Sequence, residues 1–458
     1  MSLDKISKIF IAFIVLIVLV NVVSNSFGTT DTGDYLGTAK GLSEHLVTKM
    51  RSTHSWAYGL LLAQPLKFIY SPILIKLLNV IWLVIIGAYI YMTRKDKRAF
   101  LIYAFSPVVW FMSPWVSPIL PTAFLLLLSY DFIKKYDLTN KIIYLILSGA
   151  LLGLASILWD TMMFFSVFFI LCFFYKKRVS EMILFLISFS VLFSIRFIVD
   201  YALFGFPLFS LFRVFGGNLA AMLHLGSYTN ISYSLWEYIL LFIAVMPLFI
   251  PAFYRLVKND FGKYKQEIFF LGLSFLLILL NPQARYLLGV APLAIVILSK
   301  EVYSRREIRM NIILSAVLIL ILIYPYFGST YDYKLTKDMD AIANDFPGKT
   351  FLAGSSENSD LYMELAMNYW GNDIKEIISW QDFELWRKNE TDFQHYRIES
   401  EPKVREMRKL WFEIGLSRTD NRTFEDINYL ITRDKTTELK DFELVKSYSI
   451  LNVFSRAA

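Results

Sequence analysis

The sequence predicts an α-helical protein that crosses a membrane many times and ends in a small α/β domain. Of its 458 residues, 56% are hydrophobic and 19% are charged, whereas a soluble domain carries about a quarter charged residues. Long apolar runs also recur from residue 9 to residue 328, and each is long enough, or nearly so, to cross a bilayer core of about 30 Å. Such spans must be helices, because lipid satisfies no backbone polar group.

The apolar runs place about eleven membrane spans. The first run follows Lys5 and Lys8 and is not followed by a typical cleavage site, so we interpret it as a retained span rather than a signal peptide. The predicted spans are 8–25, 73–93, 99–113, 117–133, 141–158, 162–175, 181–203, 235–256, 267–281, 286–299 and 310–328.

Basic residues between the spans predict how the chain is oriented. They form six clusters: Lys5/Lys8, Arg94–Arg98, Lys134/Lys135/Lys141, Lys176–Arg178, Arg255/Lys258/Lys263/Lys265 and Lys300/Arg305/Arg306/Arg309. All six fall on one side of the predicted membrane, and the positive-inside rule makes that side cytoplasmic. We therefore expect a multi-pass protein of the cell (plasma or inner) membrane with a cytoplasmic N-terminus. The net charge of +7 reflects these clusters, so no nucleic-acid partner is expected.

The opposite, extracytoplasmic face receives the loops between the other span ends. They are the first outer loop (26–72), the turn that contains Asp160, the loop 204–234, the turn 281–285 and the polar tail. In the tail, KTFLAGSS and INYLITR predict strands, DLYMELAMNYW predicts a helix, and FELVKSYSILNVFSR predicts a strand or hairpin. The sequence thus predicts two domains, a transmembrane module over 1–328 and an extracytoplasmic α/β domain over 329–458.

Two carboxylates, Asp31 and Asp34, follow the first span. Apolar residues recur every three or four positions after Asp34, which predicts a helix along the membrane surface. One interpretation is structural, because acids at a helix start cap its amide groups and complement its dipole. The other is chemical: one acid serves as a general base, and the pair points to one spot where it orients a substrate or shares a divalent cation.

Other outer-face residues suit a phosphate. Arg285, followed by Tyr286, stands at the outer entry of a predicted span, and a guanidinium matches phosphate oxygens with two hydrogen bonds. The alternative is an arginine that reaches the lipid interface beside an aromatic-belt tyrosine. Lys49, Arg51 and Arg213 are further outer cations. Arg196 and Asp200 lie four residues apart within one span, which is either a structural pair or a functional one.

With these pieces placed, the chain resembles the GT-C-type integral membrane glycosyltransferases. The resemblance is to the group that includes protein O-mannosyltransferases and lipid A aminoarabinose transferases. Their first outer loop reads roughly Asp-Glu-x-Arg-Tyr-Ala-x-x-Ala, and here it reads DTGDYLGTA. Asp31, Tyr35 and Ala39 match, whereas Thr32 replaces the Glu. Asp34 replaces the Arg and becomes the candidate second acid. THSWAYGLLLAQPL and ARYLLGVAPLAIV are also similar to stretches of that group.

The resemblance implies an inverting sugar transfer at the outer membrane face. The donor would be a polyprenyl-phosphate-linked sugar, with an undecaprenyl or dolichyl carrier, and the acceptor a hydroxyl of a lipid, glycan or protein. Asp31 would be the base, with Asp34 beside it, and Tyr35 and Tyr286 would contact substrate. Arg285 and one of Lys49, Arg51 and Arg213 would stabilise the leaving phosphate. No cofactor is required, although Mg²⁺ or Mn²⁺ on Asp31 and Asp34 is compatible with this chemistry.

Two other classes of protein remain open at this point. A transporter or lipid flippase would favour inverted repeats and charges near the membrane midplane; Arg196 and Asp200 fit the second feature, but the sequence shows no repeat. A glycan polymerase or ligase also has many spans and a large outer loop, but its main charged residues would lie in a later loop rather than after the first span.

Overall fold

The chain forms two compact units. One comprises Met1–Ser24, Ile75–Arg196 and Ile231–Phe327, and the other comprises Asn25–Leu74, Phe197–Asn230 and Gly328–Ala458. The predicted division into domains 1–328 and 329–458 stays a prediction. The computed structural model describes residues 3–24, 35–36, 38–39, 42, 56–66, 68, 72–94, 96–211, 235–260, 264–280, 284–302, 304–328, 331–355, 373–379, 428–435 and 441–457.

Most of the described chain is helical, as its apolar runs predict. The helices, in chain order, are α1 (Leu3–Val23), α2 (Trp56–Leu66), α3 (Pro72–Thr93), α4 (Arg98–Ala104), α5 (Pro107–Phe111), α6 (Ile119–Thr139), α7 (Ile142–Leu158), α8 (Met163–Tyr175), α9 (Val179–Phe193), α10 (Ile195–Phe204), α11 (Leu235–Val245), α12 (Phe249–Asp260), α13 (Lys265–Leu280), α14 (Ala284–Leu298), α15 (Arg305–Ile323) and α16 (Tyr331–Asp345). A 3₁₀ turn, Asp160–Met162, joins α7 to α8.

Within the described residues, four helical segments are long and apolar enough to cross a membrane. They are Ile6–Val23, Ile73–Thr93, Val179–Leu203 and Arg305–Phe327. A fifth arises if the bent pair α11–α12 counts as one span. Helices occupy all eleven predicted positions, but this length criterion does not confirm the count of eleven.

Two predicted spans are interrupted in the structure. The predicted span 99–113 is not one helix but the two short helices α4 and α5, with Pro107 as the first residue of α5. The predicted span 235–256 bends by 83° between α11 and α12, and Pro247 lies in the break. A proline cannot donate a backbone hydrogen bond to the preceding turn, so helices often break beside it.

The six basic clusters meet at one end of the first unit. Contacts of 2.6–3.3 Å between donor and acceptor join them: Ser7 with Tyr91, Arg94 with Asp131, Arg98 with the Val302 carbonyl, Lys134 with Glu267, Lys176 and Arg178 with Asp137, and Arg255 with the Glu301 carbonyl. The chain between Arg98 and Lys134 therefore leaves this end and returns to it. Which side of the membrane this end faces stays a prediction.

Two glycines let α7 and α9 approach each other closely. A Cβ atom at Gly149 would lie 2.5 Å from the Phe185 carbonyl oxygen, and one at Gly153 would lie 2.6 Å from the Phe189 carbonyl oxygen. Small residues spaced four apart let the backbones of membrane helices approach closely, which favours van der Waals packing between them. These glycines therefore fix the α7–α9 interface.

The C-terminal part of the second unit is a five-stranded mixed sheet. Its strands are β1 (Thr350–Ser355), β2 (Asp373–Ser379), β3 (Tyr429–Thr432), β4 (Phe442–Ser447) and β5 (Asn452–Arg456), in the order β2-β1-β3-β5-β4. β1 pairs in parallel with β2 and β3, and β5 pairs antiparallel with β3 and β4. The predicted strands at 349–356 and 427–433 and the predicted hairpin at 442–456 are confirmed. The predicted helix at 360–370 lies outside the described residues.

Helix α16 packs on this sheet. Leu335, Met339 and Ile342 lie on one face of α16 and are buried with sheet residues that include Phe351 and Val453. The buried carboxylate of Asp338 accepts hydrogen bonds from the backbone amides of residues 449, 450 and 451, at 2.7–3.1 Å, in the turn between β4 and β5. The turn is thus held by the helix as well as by its own strands.

Candidate functional site

A buried ion pair forms the most distinctive polar feature among the described residues of the first unit. Asp160 begins the 3₁₀ turn after α7, and its carboxylate pairs with the guanidinium of Arg196, the second residue of α10. The Arg196 side chain is fully buried, whereas the Asp160 side chain is 12% exposed. A charge this deeply buried persists only with close polar partners, so Asp160 and Arg196 fix each other's position.

Aromatic rings hold the residue before Asp160. The indole of Trp159 stacks on the ring of Tyr286 in α14, with centroids 5.5 Å apart and planes 23° apart. Gly289, one turn further along α14, leaves room for the indole, because a Cβ atom there would lie 2.8 Å from the Trp159 ring. Tyr286, predicted to contact substrate, therefore packs against the segment that presents Asp160.

Asp200 has its own set of partners in the second unit. Its fully buried carboxylate accepts hydrogen bonds from the Trp56 indole at 2.6 Å, and from the Ser210 hydroxyl at 2.6 Å and amide at 3.0 Å. The described contacts thus pair Arg196 with Asp160 and link Asp200 to Trp56 and Ser210. Three donors give this buried carboxylate the hydrogen bonds that burial requires, and they tie the end of α10 to α2.

The described part of the segment after Asp34 is helical and packs against α2. Residues 35, 36, 38, 39 and 42 are helical, as predicted, and Tyr35 and Ala39 are buried; the position of this helix along the membrane surface stays a prediction. The ring of Tyr35 meets the ring of Tyr58 edge-on at 5.1 Å. Gly59 lies against Thr38, where a Cβ atom would come within 2.5 Å of the threonine methyl group. Tyr35, a predicted substrate residue, is therefore part of the contact between this helical segment and α2.

Lys76 is a buried cation that the sequence analysis did not single out. Its amino group, on α3, donates to the backbone carbonyls of Ser24 and Asn21 at the C-terminal end of α1. A cation there complements the negative end of the helix dipole. The signal was present in the sequence, because a lysine within the predicted span 73–93 needs a polar partner.

Comparison with known proteins gives a likeness in fold but none in sequence. No family model matches the chain, and no curated protein matches it by sequence. The crystal structure of ArnT from Cupriavidus metallidurans bound to undecaprenyl phosphate matches it with a TM-score of 0.64. The match covers 100% of this chain and 99% of that chain at 10% identity. The chain has a GT-C-like fold. Together with its apolar helices, this makes it a multi-pass membrane protein.

The predicted acids and most of the predicted cations lie outside the residues that the structure of this chain describes. These are Asp31, Asp34, Lys49, Arg51 and Arg213. The backbone of Arg285 belongs to the first turn of α14, but its side chain is not among those described. Within the described residues, no group of three or more His, Cys, Asp or Glu side chains is placed to hold a metal ion. The roles predicted for Asp31, Asp34 and Arg285 therefore stay predictions.

Proposed function

We propose that this chain is a glycosyltransferase that moves a sugar from a polyprenyl-phosphate carrier to an acceptor hydroxyl at the outer membrane surface. The observation that carries the proposal is the likeness in fold over the whole chain to a structure that holds undecaprenyl phosphate. A fold alone does not imply a function, so the proposal also rests on the acids and cations that the sequence places near the predicted outer face.

The chemistry is a single displacement at the anomeric carbon. The acceptor oxygen forms a bond to that carbon while the bond from the carbon to the phosphate oxygen breaks, and the electron pair leaves with the phosphate. Asp31 accepts the acceptor's proton, as a general base does. Arg285 and one of Lys49, Arg51 and Arg213 stabilise the charge that develops on the phosphate.

The Asp160–Arg196 pair supports this scheme from the described part of the chain. Asp160 lies in a turn that the charge pattern predicts on the same outer face as Asp31. Its carboxylate is partly exposed and is held by a buried guanidinium and, through Trp159, by the ring of Tyr286. A carboxylate held in this way can orient a hydroxyl group at that face.

Replacement of Asp31 tests the proposal. Purified protein in lipid nanodiscs is incubated with radiolabelled sugars on undecaprenyl phosphate and dolichyl phosphate, and the label that reaches acceptors is measured. We expect Asp31→Asn to lower the transfer rate by about 10²- to 10⁴-fold, because the proton of the attacking hydroxyl has lost its acceptor. Glu443→Gln, which likewise replaces a carboxylate by the corresponding amide but at an exposed position of β4, is the matched control and should leave the rate unchanged.

Two outcomes would contradict the proposal. Full transfer by a normally expressed Asp31→Asn protein would exclude Asp31 as the base. Uptake of a labelled lipid-linked sugar into sealed vesicles without transfer to any acceptor would favour a transporter or flippase.

A further inference from the structure

Helix α12 does not continue the membrane span that the sequence predicts. It turns away from α11 by 83°, and the break is held in place because the Leu248 amide donates to the buried Asn311 side chain at 3.2 Å. Helix α11 has 11 residues, which is about 16 Å of helix, roughly half of a bilayer core. The pair α11–α12 is therefore not one straight membrane-spanning helix.

The two faces of α12 differ sharply in chemistry. Phe249, Ala252 and Leu256 lie on one face and are at most 3% exposed. On the opposite face, Ile250 is 48% exposed, Tyr254 is 61% exposed and Lys258 is exposed. The Lys258 amino group lies 5.7 Å from the centre of the Tyr254 ring. An apolar, an aromatic and a cationic side chain on one exposed face are typical of a helix that lies in a membrane interface.

Contacts with the start of α15 and the turn before it indicate how deep α12 lies in the membrane. Arg255 donates to the Glu301 carbonyl at 2.8 Å and pairs with the Glu307 carboxylate. Glu307 lies in the first turn of α15, where it completes a capping box with Ser304. Because α15 is long and apolar enough to cross a membrane, its charged first turn lies at the membrane surface. Arg255 thus holds α12 at the level of that surface.

We propose that α12 lies in the membrane interface and that its exposed face, formed by Ile250, Tyr254 and Lys258, binds the headgroup region of anionic lipids. Charge selects this partner, because the exposed cations at the same level of α12 and α15 include Lys258, Arg305, Arg306 and Arg309. Anionic headgroups are attracted to such clusters next to a membrane span. This inference does not rest on the proposed function.

Spin-label depth measurements test the position of α12. In a Cys172→Ser background, single cysteines are placed at Tyr254, at Ile313 on the exposed face of α15, and at Glu443 in β4, and each full-length protein is labelled in phosphatidylcholine vesicles. The collision rates of each spin label with oxygen, which enters the bilayer, and with a nickel chelate, which stays in water, give the depth of the label. Position 254 should lie between position 313, which is deep, and position 443, which is in water. Ile250→Cys is a second probe of the same face, should Tyr254→Cys fail to fold.

A label at 254 that is as deep as 313, or as hydrated as 443, would overturn the interfacial placement.

The test of the anionic partner repeats the depth measurement with phosphatidylglycerol added to the vesicles. The label at 254 should then move deeper, and Lys258→Glu should abolish that shift, whereas Lys141→Glu, at an exposed lysine of another segment, should preserve it. No shift with phosphatidylglycerol, or a shift that survives Lys258→Glu, would overturn the anionic partner.

Discussion

Arg196 is the largest side chain that solvent does not reach in the described part of the chain, and its partner Asp160 comes from a turn 36 residues earlier. Nothing in the local sequence requires this pairing, because Asp200, four residues after Arg196 on the same helix, has the spacing of a local ion pair. The described contacts of Asp200 instead link α10 to α2 and Ser210. Each buried charge is thus held by partners that tertiary packing supplies.

Removal of both members of the pair should cost less than the sum of the two single removals. Asp160→Ala leaves a buried guanidinium without its carboxylate and should lower the free energy of unfolding by about 3–5 kcal/mol. Asp160→Ala combined with Arg196→Met removes both charges and should lose less than the sum of the two single changes. Reversible unfolding in detergent of the four proteins measures this coupling. Strictly additive losses would show that the two side chains do not act as a pair.

At the scale of elements, the short helices and breaks matter as much as the long spans. Pro107 separates α4 from α5, and Pro247 lies where α12 turns from α11. The α7–α9 contact depends on the opposite property, since Gly149 and Gly153 have no side chain to separate the two backbones. At these four positions, prolines and glycines rather than hydropathy decide how the helical segments are divided and paired.

A methyl group at Gly149 should therefore weaken the α7–α9 interface. Gly149→Ala puts a Cβ atom 2.5 Å from the Phe185 carbonyl oxygen, and such overpacking costs about 1–3 kcal/mol of unfolding free energy. Gly272→Ala in α13 is the matched control, because a Cβ atom there meets nothing within 4 Å; it should be neutral or stabilising by up to about 1 kcal/mol. Thermal unfolding in detergent measures both, and equal stability of the two variants would contradict the close approach.

For the whole molecule, the charge pattern predicts which end of the first unit faces the cytoplasm. The six basic clusters meet at one end of the first unit, which is what a common cytoplasmic side requires. If this end is cytoplasmic, as the positive-inside rule predicts, each loop has an expected side. The turn that holds Asp160 is then expected on the outer side.

Thiol labelling of intact cells tests that orientation. In a Cys172→Ser background, Lys141→Cys probes the end where the basic clusters meet, and Glu443→Cys probes the C-terminal sheet; both positions are exposed. A membrane-impermeant maleimide should label position 443 in intact cells and position 141 only after the cells are permeabilised. The reverse pattern would invert the topology and remove Asp31 from the outer face.

The sequence alone determined the class of the fold and the positions of most of its helices. Hydropathy suffices for this because a bilayer accepts only apolar segments that satisfy their own backbone hydrogen bonds. The strands β1, β3, β4 and β5 also followed from local patterns. Strand β2 (Asp373–Ser379) and helix α16 were not predicted, and their place beside β1 and on the sheet depends on partners distant in sequence.

Tertiary structure alone decided which polar groups meet. Asp160 with Arg196, Trp56 with Asp200, and Lys76 with the end of α1 are pairs separated by 36 to 144 residues. Inside a membrane a polar side chain must find a partner wherever packing brings one, because neither water nor lipid provides it. Hydropathy shows that such a residue is buried in a span, but only the arrangement of the helices shows what it binds.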